Sequence, residues 1–504
     1  MRAVLSRDAI RDFDRYWIDK CNIDGFILME NAGRGAADVI QSLVAREPNP
    51  RVLVLCGPGN NGGDGFVVAR RLRIAGIPER LLLTEPRGRV RGDAQRAMSA
   101  YEATGGVVQI LGEDVNSLRD ALIDATHAVD AVFGTGLDRE LSSRYATIVA
   151  CLNDADVHRV ALDLPSGLFA NGVSSEHVVN AHDTVTFSFP KLGLRTPQGF
   201  RCAGHLHVVD IGVPSEPIGD VSVSAWEISE ADVRRWIEPR AVDTHKYAAG
   251  HVGVIGGAPG TTGAPLLSAI GSLRAGAGVA TIAARSDAYA TLAGRALEVM
   301  VRTLQAESIV DDVIAFLAGK HALVVGPGLG CDSIADQILE TVVSHAAVPL
   351  VLDADALTLV AKGAARFSLP RGTVLTPHPG EAARLLGTTA SVVEADRYGA
   401  LAALVSRTRA IVVLKGACTL IGAPSETPVV VPLAEPALAT AGSGDVLAGA
   451  IGALAVHLAP FQAAAAGAVV HAIAGTHWKS DRGMLASDIA SEIGQWFDGR
   501  RASV

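Results

Sequence analysis

Gly442-Ser443-Gly444-Asp445 stands immediately before an apolar helical pattern that begins Val446-Leu447-Ala448. A glycine turn in that place leaves backbone N–H groups unpaired at a helix N-terminus, where they and the helix dipole attract anions. A carboxylate beside such a site can take the proton from a hydroxyl that attacks a phosphate. An aspartate that only caps the helix is the competing reading. Lys415 ends the apolar run Ile411-Val-Val-Leu414 just before Gly416, which suits phosphate contact, a surface charge being the alternative. His378 lies between Pro377 and Pro379, so its loop is stiff and its ring has a fixed direction. Ligand contact is the expectation there, against a purely structural histidine.

The first half carries a different set. Asn60-Asn61-Gly62-Gly63-Asp64-Gly65 follows the β-branched run Arg51 to Cys56 and opens a helical pattern. Its glycines allow a phosphate close to the backbone, and its amides and carboxylate offer oxygen ligands. Gly57, Gly59 and Gly62 match a dinucleotide-binding fingerprint, but no acidic residue completes the ribose contact, so a plain dehydrogenase is the lesser reading. Asp130 and Ser166, near separate strand ends, could join Asn61 around a hard cation. On spacing alone, ordinary caps or turn acceptors are the favoured reading of Asp130 and Asp163.

These residues need strands that end together. Arg51 to Cys56, Ala128 to Phe133, Val157 to Leu164, Thr184 to Phe189 and His205 to Asp210 read as strands alternating with helical patterns. Such alternation implies parallel β-α-β units, whose ligand loops gather beyond the strand C-termini. After the polar stretch from about Pro214 to Val242 the style restarts with His251 to Ile255, Ala322 to Gly330, Pro349 to Asp355, Val374 to Glu381 and Ile411 to Leu420. The expected division is a first domain over 1–218, a linker over 219–241 and a second domain over 242–504, both of α/β class.

A chain of 504 residues exceeds one core, and 49% hydrophobic against 19% charged residues marks it as globular. The formal charge of -9 and the absence of a basic block argue against nucleic acid. The 6 cysteines form no C-x-x-C pair, which excludes a zinc ribbon and suits a reducing cytoplasm. Met1 to Asp8 lacks the apolar core of a signal peptide. Val446 to Trp478 has no charged residue, yet Pro460 divides it, so two buried helices are expected rather than a membrane span.

Leu28 to Gly33 (LMENAG), Cys56 to Arg70 (CGPGNNGGDGFVVAR), Asp130 to Leu137 (DAVFGTGL), Ala161 to Leu168 (ALDLPSGL) and Thr184 to Leu194 together resemble the YjeF N-terminal domain family. The resemblance implies a Rossmann-like NAD(P)HX epimerase that binds potassium. It assigns potassium to Asn61, Asp130 and Ser166. It assigns the hydrated nicotinamide nucleotide to Asn60, Asn61, Gly62, Gly63 and Asp64, and to Gly134, Thr135, Gly136, Leu137, Asp138, Arg139 and Glu140. Asp163 is the implied catalytic acid/base, and Lys191 would help to position phosphate or carboxamide.

His245-Lys246, Gly256 to Gly278, Val325 to Gly330, Leu352 to Leu357, Leu375 to Glu381, Val413 to Ile421 and Ala441 to Gly449 occur in the order seen in the ribokinase-like ADP/ATP-dependent NAD(P)HX dehydratases. Tyr247 departs from that pattern, where glycine is commoner. The resemblance places Ala264, Gly328, His378 and the catalytic Asp445 on the hydrated substrate. It places Lys415, Gly416, Ala417, Cys418 and Thr419, with Gly442, Ser443 and Gly444, on the nucleotide. The T-P-H-P-G-E form of the His378 loop is similar to the bacterial type, which implies ADP with Mg2+ as phosphate donor. Epimerisation of R- and S-NAD(P)HX and dehydration of the S form, with release of AMP and phosphate, are the implied activities. The expected protein is a cytoplasmic homo-oligomer that touches neither nucleic acid nor membrane. A metabolite kinase joined to a non-catalytic N-terminal interaction domain is the rival.

Overall fold

Val52–Cys56 is apolar at every position and wholly buried. Its side chains part in alternation: Val52, Val54 and Cys56 enter one core, Leu53 and Leu55 the other. The first core is closed by the helices Gly25–Val44, Asn60–Ile74 and Gly92–Ala103, the second by Asn116–Asp124 and Ser143–Asp154. A strand apolar on both sides demands a layer on each face, and three layers result.

The computed structural model describes residues 1–216, 218, 221–363 and 367–498. The chain divides into two compact units, Ala3–Ala225 and Trp226–Val504 with Met1–Arg2. After a short first strand, β1 (Arg2–Val4), the N-terminal unit builds a 7-stranded sheet in the order β4-β3-β2-β5-β6-β7-β8. Its strands are β2 (Val52–Cys56), β3 (Glu79–Leu83), β4 (Val108–Ile110), β5 (His127–Ala131), β6 (His158–Leu162), β7 (Asp183–Phe187) and β8 (His205–Val209). All pair in parallel. The chain winds outward from β2 to β4, then returns to β5 and continues the other way. The crevice at that reversal, beyond the C-termini of β2 and β5, is where a Rossmann-like sheet binds ligands.

The C-terminal unit repeats the device with β9 (Ala225–Glu227), β10 (His251–Ile255), β11 (Val279–Arg285), β12 (Met300–Leu304), β13 (Ala322–Val325), β14 (Leu350–Leu352), β15 (Val374–Leu375), β16 (Ile411–Leu414), β17 (Leu420–Gly422) and β18 (Val429–Val430). Their order is β9-β18-β17-β16-β15-β14-β13-β10-β11-β12, with the reversal between β10 and β13. Strands β10 to β16 run parallel, and β17 turns back antiparallel on β16. One face packs on the helices Ser443–Leu454, Pro460–Thr476 and Ala486–Trp496. On the other, Gly253 and Gly422 lie against Phe316 and Leu401 of the helices Ile309–Leu317 and Arg397–Thr408. This is a ribokinase-like three-layer unit.

The expected linker over 219–241 contains ordered elements. Trp226 N–H donates to Pro428 O at 2.8 Å and Ile228 N–H to Val430 O at 3.1 Å, so β9 extends the C-terminal sheet. The helix Glu230–Trp236 follows, started by a reciprocal cap between Ser229 and Asp232. Elements this short leave almost no hydrophobic period to read, and only Ser229-x-x-Asp232 signals them. The expected boundary at 218/219 and the end of the second domain fall partly outside the described residues. Val446 to Trp478 forms two helices, with Pro460 opening the second. Among the described residues no helix is long and apolar enough to cross a membrane.

Candidate active sites

The turn after β2 runs directly into the helix Asn60–Ile74, whose N-cap Gly59 offers no side chain to the first N–H groups. Asn60 is exposed there, and Asn61 and Asp64 point inward. Both amide atoms of Asn61 are buried without a hydrogen-bond partner in the protein. A buried amide left in that state costs on the order of 1–3 kcal/mol unless a ligand, ion or water completes it. The adjoining loop Gly134–Glu140 closes over it: a Cβ on Gly134 would lie 2.7 Å from Asp163 Oδ2 and 3.2 Å from Asn61 Cγ.

Asp130, near the C-terminal end of β5, is only 1% exposed. Its carboxylate accepts from Ser166 N–H at 2.8 Å, Ser166 Oγ–H at 2.7 Å and Val132 N–H at 3.2 Å. Burial pushes it up to about 6 despite those donors. No cationic side chain pairs with it among the described residues. Asp130 and Ser166 therefore stand together, whereas neither hydrogen-bonds Asn61. A bound cation would satisfy the chemistry of all three, taking the free Asn61 oxygen and neutralising the Asp130 carboxylate.

A cavity of about 1100 Å³ opens over these loops, lined by Asn60, Asn61, Asp64, Gly134 to Glu140 and Asp163. Gly62 and Gly63 shape the turn rather than face the cavity. Asp163 directly follows β6 in the left-handed region, φ 64°. Its Oδ1 lies 2.5 Å from Lys191 Nζ, and its Oδ2 accepts from Thr135 N–H at 2.9 Å and from the Thr135 hydroxyl. Burial opposes ionisation, but Lys191 and Thr135 outweigh it and hold this carboxyl below the usual range. Lys191 is itself buried and also donates to Thr186 Oγ1 and Phe187 O, both at 2.9 Å. Its ammonium is thus engaged by Asp163, Thr186 and Phe187, and it also lines the cavity. Sequence reasoning missed Asp14, on the helix Arg7–Arg15, which lines the same cavity.

In the C-terminal unit the residue before the helix Ser443–Leu454, Gly442, has φ 88°. That left-handed step turns the N–H groups of the next residues outward, and only glycine adopts it without strain. Asp445 lies in the first turn and makes no hydrogen bond or ion pair among the described residues. Burial raises it to about 7, helped by Asp353, Asp355 and Glu381 and opposed by Lys415. Lys415 Nζ donates to Asp353 Oδ1 at 2.8 Å and lies 3.7 Å from Glu381 Oε2. A Cβ on Gly444 would stand 3.1 Å from that Nζ, so the lysine adjoins the turn.

Thr376 Oγ1–H, after β15, donates to Asp353 Oδ1 at 2.7 Å. His378 caps the helix Pro379–Leu386: its Nδ1 accepts from Gly380 N–H at 3.0 Å, and Glu381 accepts from its backbone N–H at 2.8 Å. The side chain remains 50% exposed, with Nε2 3.6 Å from Glu381 Oε1. The residues Lys415 to Thr419 form the bend between β16 and β17, with Gly416 and Cys418 at positive φ and Thr419 Oγ1–H tied to Gly416 O at 2.8 Å. Gly328 O accepts from Ala258 N–H at 2.6 Å and Thr261 Oγ1–H at 2.9 Å, joining its loop to the one that leads to Ala264.

Asp353 and Glu381 belong to recognised motifs, yet their attachment to Lys415 is a long-range fact. His471, on the helix Pro460–Thr476, was equally hidden. Its Nε2 lies 3.0 Å from Ser443 Oγ and 3.1 Å from Ser443 O. Burial lowers this ring to about 4, so it braces the glycine turn as a neutral group.

Comparison with known proteins adds three findings. The family model described as YjeF-related protein N-terminus matches residues 25–193, and the one described as NAD(P)H-hydrate dehydratase matches residues 252–495. The bifunctional NAD(P)H-hydrate repair enzyme Nnr of Moorella thermoacetica is 38% identical over 502 residues, covering 96% of this chain and 95% of that one. Its namesake in Escherichia coli K12 is 35% identical, covering 97% and 93%. A crystal structure of the ADP/ATP-dependent NAD(P)H-hydrate dehydratase of Bacillus subtilis, grown with ATP/Mg2+, is 25% identical with a TM-score of 0.48, covering 55% of this chain and 99% of that one.

Proposed function

Since this chain belongs to the family of bifunctional NAD(P)H-hydrate repair enzymes, we propose that it restores hydrated NADH and NADPH in two steps. The N-terminal unit interconverts the R and S hydrates. The C-terminal unit dehydrates the S form with ADP, releasing AMP and phosphate. The observation that carries the second step is Asp445, a partnerless carboxyl beside Lys415 and the amides of Gly442–Gly444.

The chemistry follows from that placement. Asp445 takes the proton of the substrate hydroxyl as it attacks the terminal phosphorus, and the turn amides stabilise the charge that develops. The phosphorylated oxygen is now a good leaving group. The lone pair of the ring nitrogen expels it as phosphate, and loss of a ring proton restores the double bond. Lys415 meets the nucleotide phosphates, while Ala264, Gly328 and His378 hold the hydrated ring. Asp353, Asp355, Glu381 and Asp445 outnumber Lys415 in charge, which supports entry of Mg2+ with the nucleotide; when bound it neutralises phosphate oxygens. In the epimerase cavity Asp163 is the acid/base, and Asn61, Asp130 and Ser166 fit K+ through their oxygens. That ion, when bound, offsets the charge of buried Asp130. Free cysteines throughout support a reducing cytoplasm, and we propose a homo-oligomer there.

A metabolite kinase would use the same Asp445 but release a stable phosphoester. Incubating the full chain with mixed hydrate epimers separates the two. NADH absorbance should rise with ADP and Mg2+, remain flat without nucleotide, and proceed faster with ADP than with trapped, ADP-free ATP. Use of the R epimer should require K+. A phosphorylated hydrate accumulating without NADH would contradict the dehydratase reading.

A further inference from the structure

Epimerisation needs more than one proton transfer, and Asp163 supplies one group. The hydroxyl must leave the carbon beside the ring nitrogen as water, and water must return to the opposite face. Each half-reaction moves a proton.

Asp14 is placed for the other transfer. It projects from the helix Arg7–Arg15 into the cavity that Asp163, Asp64 and Lys191 also line. It makes no hydrogen bond or ion pair among the described residues. Its helix is held firmly. Phe13 packs edge-on against Phe189 at 5.0 Å, and Leu5 exchanges backbone hydrogen bonds with Pro190 and Leu192 on either side of Lys191, at 3.0 and 3.1 Å. A carboxyl without a partner, on a helix fixed to the segment that bears Lys191, is poised for a ligand rather than for the fold.

We infer that Asp14 is the second proton-transferring residue of the epimerase, giving its proton to the departing hydroxyl while Asp163 takes one from the water that adds. The C–O bond breaks as the ring nitrogen's lone pair forms a C=N+ bond, and the proton from Asp14 makes the leaving group water. Water then attacks the other face of the planar carbon, the electrons of the C=N+ bond return to nitrogen, and Asp163 receives the proton. Solvent exchange returns the pair to its starting state. Nothing is oxidised or reduced.

The surroundings suit this division. Burial pushes Asp14 up to about 6, with Lys191 pulling it down and Asp163 adding to the rise. Asp163 is held low by Lys191 and Thr135 against the effect of its own burial. Two carboxyls driven apart in this way suit opposite tasks, one giving a proton and one receiving it. Asp64 faces both, and burial first, then Asp163 and Asp14, raises its carboxyl well above the usual range.

This role rests on the epimerase reading of the cavity, and the test keeps the two apart. Conversion of the R to the S hydrate is followed by chromatography without ADP, in the full-length protein, over pH 5–9, at saturating K+. Asp14→Asn should lower kcat by about 10²-fold with KM within roughly threefold, because the group acts in proton transfer. Wild-type kcat/KM should fall above about pH 6 as Asp14 loses its proton, and that limb should vanish in the variant. Asp14→Glu should retain part of the rate with a displaced limb, and it decides the matter if Asp14→Asn fails to fold. An Asp14→Asn rate within roughly threefold of wild type, or in either variant an unchanged limb, overturns the assignment. A wild-type chain with no epimerase activity would instead overturn the reading of the cavity.

Discussion

At the scale of residues, the proposed role of Asp445 as a base depends on its neighbours. Burial first, then Asp353, holds it near 7, so it is basic enough to accept a hydroxyl proton yet still ionises at physiological pH. A carboxyl raised in this way is protonated below its pKa and ionised above. The kcat/KM of dehydration should therefore rise with pH through about 7 and level off above it. Asp445→Ala should lose about 10²–10⁴-fold in dehydration and leave epimerisation intact, as expected for removal of a positioned base. A flat pH profile, or dehydration near the wild-type rate in the variant, would remove Asp445 from the mechanism. The Gly442–Asp445 turn was legible in the sequence because glycine before a helix start has a local meaning. Asp353 and Glu381 act through Lys415, far along the chain, and Asp14 reaches its cavity only through the fold, so no local pattern announces either. Lys191 shows the same limit. The resemblance implies that it helps to position phosphate or carboxamide, and its buried ion pair with Asp163 is a long-range contact that no local pattern announces.

At the scale of elements, the helix Ser443–Leu454 must lie close to Gly263–Arg274 for Asp445 to reach its site. Small residues make that approach possible. A Cβ on Gly449 would stand 1.9 Å from Ser268 O, and Ser272 Oγ–H donates to Gly449 O at 3.0 Å. Gly449→Ala should push the helices apart, costing about 1–3 kcal/mol as overpacking does. Urea unfolding should show the loss together with slower dehydration, and a variant as stable and active as wild type would dismiss the close approach. Long, strongly patterned elements such as β2 and the helix Asn60–Ile74 were plain in the sequence. β9 and the helix Glu230–Trp236 were not, because three and seven residues carry too little periodicity, and the pairing of β9 with β18 joins segments far apart in the chain.

At the scale of the whole molecule, each site is assembled inside one unit: Asn61, Asp130, Asp163 and Asp14 within Ala3–Ala225, and Lys415, His378 and Asp445 within Trp226–Val504. Two separately built sites on one chain make sense if the product of the first is the substrate of the second. The S-specific dehydratase alone would strand the R hydrate, and the epimerase alone would repair nothing. The most direct measurement starts from purified R hydrate, the full chain, ADP, Mg2+ and K+, and follows NADH absorbance to completion, with Asp163→Asn and Asp445→Ala run alongside. Wild type should convert all of the R hydrate to NADH after a lag in which S hydrate forms. Asp163→Asn should use the R hydrate only as fast as it epimerises spontaneously, and Asp445→Ala should make S hydrate without NADH. An Asp163→Asn protein that matches wild type on the R hydrate, or a wild-type protein that leaves the R hydrate untouched, would contradict the two-site scheme.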